Sequence, residues 1–137
     1  MVGVVLVTHP QLGEEFIRSA EMICGKMPRV LTVSIDTRKE VEELRRGIAE
    51  AIKKVEEGDG VLILTDMFGG TPSNMSLAFL SEGRVEVITG LNLPMLIHDR
   101  QRPYVMPTHL LHHNRKRLVG LDDLYRPAHN PFDFNLQ

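Results

Sequence analysis

Only one cysteine, Cys24, occurs in the 137 residues, so no disulfide can form within the chain. It lies among apolar neighbours and reads as a small, reduced, buried side chain rather than a reactive thiol. No apolar run approaches the roughly 20 residues that cross a bilayer. The N-terminus has neither the basic start nor the cleavage site of a secretory leader, which sets the expectation of a cytoplasmic protein. Charge of one sign is also lacking. A net charge of −2 gives no basis for binding nucleic acid or an anionic membrane. What remains is ordinary: 42% hydrophobic and 25% charged residues, enough chain for one domain with its own core.

Strand and helix signals alternate through the first part of the chain. Val2 to Thr8 is a run of mostly β-branched residues without polar alternation, the pattern of a strand buried on both faces. Leu12, Phe16, Ala20 and Ile23 then fall on one helical stripe, and Gly25 is a stop signal. Val30 to Ile35 is a second strand. Thr37-Arg38-Lys39-Glu40 has the form of a capping box opening a helix whose stripe is Val41, Leu44, Ile48, Ile52 and Val55. Gly58-Asp59-Gly60 leads into a third strand, Val61 to Leu64. After Asp66 and a glycine pair, Thr71 is expected to cap a short helix, with Pro72 at its first position and a body from Ser73 to Leu80. Val85 to Ile88 is a fourth strand, and Gly90 to Ile97 reads as a loop entering another helix.

Four βα units in series predict an α/β fold: a doubly wound parallel sheet of order 2-1-3-4 with helices on both faces. In such a sheet strands one and three are neighbours, and ligands collect beyond their carboxyl ends. Both of those strands stop on a residue with chemistry, His9 and Asp66. A neutral imidazole is a nucleophile when one ring nitrogen is free and the other is fixed by a hydrogen bond. The Asp66 carboxylate can accept that bond and stabilise the charged ring. Gly69 and Gly70 let the backbone approach a ligand, and the helix start at Thr71 favours an anion. Plainer readings stand beside these. His9 can simply pack at a strand end, Asp66 can serve an Asx turn or a metal, the glycines can form an ordinary turn, and Met67 and Phe68 can pack beneath it.

Three segments carry a family resemblance: Val5-Leu6-Val7-Thr8-His9; Leu64-Thr65-Asp66-Met67-Phe68-Gly69-Gly70-Thr71-Pro72-Ser73-Asn74; and Thr89-Gly90-Leu91-Asn92-Leu93-Pro94-Met95-Leu96. Together they closely resemble the enzyme IIA component of the mannose family of the phosphoenolpyruvate-dependent sugar phosphotransferase system, over residues 1 to about 97. The resemblance implies a phosphotransferase that needs no cofactor or metal. His9 would receive phosphate from phospho-HPr and pass it to an enzyme IIB partner, touching the membrane only indirectly through a permease. By the same match Asp66 orients the imidazole, Gly69, Gly70 and Thr71 line the phosphate pocket, and Met67, Phe68, Leu93 and Pro94 form the rim that partners recognise. The alternative is a module of the same fold whose phosphorylation state regulates a partner without transport. A phosphocarrier of the dihydroxyacetone kinase type lacks the glycine loop seen here. A flavodoxin-like nucleotide site would need a Ser/Thr-rich loop after strand one.

Residues 98–137 differ in character. They hold four of the eight prolines, five of the six histidines and both tyrosines, with little periodicity. Relatives in the resembled family continue into helix and a final strand, exchanged across a homodimer in the mannose enzyme. This tail shows neither, which makes dimerisation doubtful and is the expected mark of a reading-frame shift near Ile97 or of disorder. His109 and His113 have helical metal-ligand spacing but no acidic or cysteine partner nearby, and Arg115-Lys116-Arg117 reads as a solvated basic run.

Overall fold

The computed structural model describes residues 2–81 and 83–98; the tail, its histidine pair and its basic run lie outside them. Four strands, β1 (Gly3–Thr8), β2 (Val30–Ser34), β3 (Val61–Thr65) and β4 (Val85–Thr89), form one parallel sheet in the order β2-β1-β3-β4. Val5 pairs with Leu31 on one side and with Ile63 on the other, and Ile63 pairs with Val87. The expected order therefore holds. β1 and β3 are central and buried at every position, whereas β2, at the edge, is half-buried throughout.

Alternate residues of β1, β3 and β4 feed two cores. Val5, Val7, Val61, Ile63 and Val87 face α2 (Val41–Val55), whose Leu44, Ile48, Ala51 and Val55 close that side, and Met75 of α3 (Thr71–Leu77) packs there too. Val4, Leu6, Leu62, Leu64 and Ile88 face α1 (Leu12–Cys24) and α4 (Leu93–His98), through Ala20 and Leu96. Helices thus cover both faces, as the alternating strand and helix signals require.

Helix boundaries depart from expectation in three places. α2 begins at Val41 with Glu40 as its N-cap and no side-chain capping bond. The Thr37 capping box does not form, because the Asp36 carboxylate takes the Arg38 N–H at 3.0 Å and the Asp36 carbonyl takes the Lys39 N–H at 3.0 Å, turning the chain before the helix. α3 takes Gly70 as its N-cap, so Thr71 is the first helical residue and Pro72 the second. That helix ends at Leu77, and Ala78, Phe79 and Leu80 continue only in tighter i to i−3 bonds. The stripe of α1 is partly displaced as well. Phe16 and Ala20 of the expected stripe pack against the core, joined by Gly13, Ile17 and Cys24, while Leu12 and Ile23 are exposed. In α2, Val41 is exposed too. Gly25 ends α1 as predicted, its N–H donating to the Glu21 carbonyl at 2.9 Å. Asn92 caps α4 by accepting the Met95 N–H at 3.1 Å.

Among the described residues no helix is long and apolar enough to cross a membrane.

Candidate active site

β1 and β3 run side by side to the same end, where the chain leaves Thr8 for His9 and Thr65 for Asp66. These two residues, 57 positions apart, meet there. His9 Nδ1 lies 2.6 Å from Asp66 Oδ2, and the His9 backbone N–H donates to the same oxygen at 2.9 Å. The other carboxylate oxygen, Oδ1, accepts the Met67 N–H at 3.0 Å. The carboxylate is thus held at both ends.

Burial of Asp66 pushes its carboxyl up, but the His9 N–H, the His9 ring and the Met67 N–H together outweigh that, leaving it below its ordinary value of 3.8. It is ionised at neutral pH and can only accept, so Nδ1 of a neutral His9 carries the ring proton. Nε2 then keeps its lone pair. The His9 side chain is 46% exposed and that of Asp66 only 9%, so the anchor is sheltered and the ring is open to solvent.

The loop after Asp66 lies against the imidazole. A Cβ on Gly70 would stand 3.3 Å from His9 Cε1, so the absent side chain leaves the space the ring edge occupies. Gly69 has a φ of +77°, a left-handed conformation that glycine tolerates best. Asn74 ties the loop to α3: its backbone N–H donates to the Gly70 carbonyl at 3.0 Å and its side-chain amide to the Gly69 carbonyl at 3.4 Å. Thr71 is exposed beside them, with no capping bond made by its side chain.

Of the expected rim residues, Met67 and Phe68 are exposed, 54% and 68% respectively, rather than packed beneath the loop. Pro94 is exposed at the start of α4, and Leu93 beside it is half-buried against the α1 core. Leu12, whose N–H donates to the His9 carbonyl at 3.3 Å, is a 40% exposed apolar residue close to the histidine. Its helical spacing alone places it on the core stripe. The partly displaced stripe, visible only once Gly13 is seen to face inward, accounts for that miss.

Residues 3–101 match the family described as PTS system fructose IIA component, EIIA-man. The PTS system fructose-specific EIIA component of Bacillus subtilis is 31% identical over 98 residues, covering 71% of this chain and 67% of that protein. The sorbose-specific EIIA component of Lacticaseibacillus casei is 32% identical over 95 residues, covering 69% and 68%. The mannose-specific EIIAB component of Escherichia coli is 31% identical over 97 residues, but this chain spans only 30% of its length. Among solved structures, the mannose/sorbose-specific IIA subunit of Enterococcus faecalis superposes with a TM-score of 0.68 at 26% identity, covering 81% of this chain and 84% of that one. A phosphotransferase-system IIA protein associated with the fucose utilization operon of Streptococcus pneumoniae superposes at 0.70 with 23% identity, over 90% of this chain and 98% of that one, a likeness of fold. With its sheet order, its segments and its family match in agreement, the chain belongs to the mannose-type IIA components of the sugar phosphotransferase system.

Proposed function

We propose that this chain is a phosphohistidine carrier that accepts a phosphoryl group from phospho-HPr on His9 and passes it to an enzyme IIB, in the cytoplasm. The observation that carries the reading is the 2.6 Å contact between His9 Nδ1 and Asp66 Oδ2. A ring protonated at Nδ1 presents the Nε2 lone pair to phosphorus. The N–P bond to His9 forms as the donor's own phosphorus bond breaks, in line, and no proton leaves His9. The ring becomes cationic. Asp66 already faces the proton on Nδ1, so the stabilising charge is in place before transfer begins. Donation to IIB is the same step reversed, with the N–P bond breaking and the electron pair returning to Nε2.

Around that ring, Gly69, Gly70 and Thr71 are the candidates to meet the phosphoryl oxygens, with Thr71 offering a hydroxyl and the loop its backbone N–H groups. Met67, Phe68, Leu93 and Pro94 form the rim for HPr and IIB, and exposed Leu12 extends it. Apolar contact around an open histidine suits two successive protein partners, each of which must also leave.

Incubation with phosphoenolpyruvate, enzyme I and HPr tests this directly. One acid-labile phosphate per chain is expected, released to IIB and absent in His9→Ala. Equal labelling of His9→Ala would overturn the assignment.

A further inference from the structure

Both peptide planes that flank the His9 Cα are pinned, and one side chain outside the reacting pair pins the second. The plane before His9 is fixed by the Ile35 N–H on the Thr8 carbonyl at 2.8 Å and by the His9 N–H on Asp66. The plane after it is fixed by the Thr8 hydroxyl, which donates to the His9 carbonyl at 2.9 Å. The same hydroxyl oxygen accepts the Gly13 N–H at 3.0 Å, tying the turn into the first turn of α1. Among the described residues the one other bond to the His9 carbonyl, from the Leu12 N–H, is longer at 3.3 Å. Thr8 is fully buried, so water cannot replace its hydroxyl. The connection also bends sharply: Gln11 adopts a φ of +67°, a cost that the surrounding bonds must hold.

We infer that Thr8 is a positioning residue for His9. Its hydroxyl fixes the backbone from which the imidazole projects, so that ring Nδ1 and backbone N–H converge on one Asp66 oxygen. Rotamer choice follows φ and ψ, and pinning both narrows where the ring can point. The geometry around Gly13 agrees. A Cβ there would stand 2.1 Å from Thr32 Oγ1 and 3.1 Å from Thr8 Oγ1, so glycine allows α1 to sit close enough for the Thr8 bridge. This inference rests on the carrier reading for its rate consequence, but not for its effect on the ring.

The test separates the two. Nitrogen NMR of the His9 ring in the intact chain reports the tautomer, and labelling through enzyme I and HPr reports the rate. Thr8→Val keeps the β-branch and removes the hydroxyl. It is expected to mix the Nδ1–H and Nε2–H tautomers and to slow labelling about tenfold. Thr8→Ser, which keeps the hydroxyl and loses the methyl, is expected to match wild type in both. Thr32→Val, against the same glycine but without a hydrogen bond to the His9 turn, is the packing control and should change neither. If Thr8→Val does not fold, Thr8→Ala against Thr8→Ser makes the same comparison. A wild-type tautomer signal in the hydroxyl-free variant, or a Ser variant as damaged as it, overturns the inference. Absence of labelling in wild type would instead overturn the carrier reading, with the tautomer comparison still deciding the role of Thr8.

Discussion

Gly69 and Gly70 are adjacent, yet replacing each with alanine should injure the protein in a different way. Gly70 has φ −76° and ψ 166°, extended backbone that any residue adopts. Gly70→Ala therefore adds no strain to the chain. Its methyl would instead stand 3.3 Å from His9 Cε1, 3.4 Å from Met67 Cγ and 3.6 Å from Pro72 Cδ. Optimal carbon contacts lie at about 3.5–4.0 Å, so the ring edge must retreat by a few tenths of an ångström. Met67 is exposed and can move at little cost, but the ring is held by a 2.6 Å bond to a partly sheltered carboxylate. A misplacement of about 1 Å can cost on the order of 100-fold in rate, so a few tenths should cost about fourfold to tenfold. Because alanine is a poorer N-cap than glycine, stability should fall by at most about 1 kcal/mol. Gly69→Ala is the mirror case. Its φ of +77° penalises any side chain by about 1–2 kcal/mol, while among the described residues nothing lies within 4 Å of the added methyl. Thermal unfolding and the initial rate of His9 labelling, measured on both variants, separate the effects. Gly70→Ala with wild-type kinetics, or a slower Gly69→Ala than Gly70→Ala at equal folded fraction, refutes the packing of the loop against the ring.

Two further expectations concern Asp66 and the start of β1. The Asp66 carboxyl is lowered in the folded protein, so its stabilisation is complete above its ordinary value of 3.8 and is lost as the pH falls toward the folded value. Asp66→Asn should be less stable than wild type at pH 6, with the difference shrinking below about pH 4 in acid unfolding curves; a constant difference down to pH 2 would contradict the linkage. At the other end of the sheet, a Cβ on Gly3 would lie 2.5 Å from the Val55 carbonyl oxygen and 2.6 Å from Val55 Cγ2. Gly3→Ala should lower stability by about 1–3 kcal/mol through overpacking, read from urea unfolding, and should leave His9 labelling per folded molecule unchanged.

The sheet was legible because its signal is redundant. Unbroken apolar runs at Val4–Val7 and Val61–Leu64 indicate strands covered on both faces, and the helices between them leave few topologies. The meeting of His9 and Asp66 then followed from strand order. Helix starts were less legible, since several residues compete for each one. Thr37 has the right spacing for a cap, but Asp36 takes the local N–H groups first. Thr71 looks like an N-cap, but the preceding glycine already has extended backbone and takes that place. On α1 the apolar stripe misled because glycine counts for nothing in a hydrophobic pattern, yet Gly13 marks the face that touches the sheet. The Thr8 hydroxyl was out of reach for the same reason. Its partner is the amide of that glycine, at the end of the helix where Leu12, expected in the core, turns to solvent.

On the carrier reading, His9 faces two opposed demands. A nucleophile gains rate from being fixed, whereas a group that visits two proteins must stand in the open. The chain divides these demands between two residues and two ring atoms. Asp66 is sheltered, held by three hydrogen bonds and ionised; His9 offers it Nδ1 while its side chain stays 46% exposed. Among the described residues no lysine or arginine hydrogen-bonds to either member of the pair. The imidazolium charge is complete in the phosphorylated state, so the carboxylate stabilises that intermediate as well as the transition state leading to it. A carboxylate acting through the ring stabilises the charge that develops as the N–P bond forms and relinquishes it as that bond breaks. Its effect follows the bond in both directions, which is the property a relay between two proteins needs.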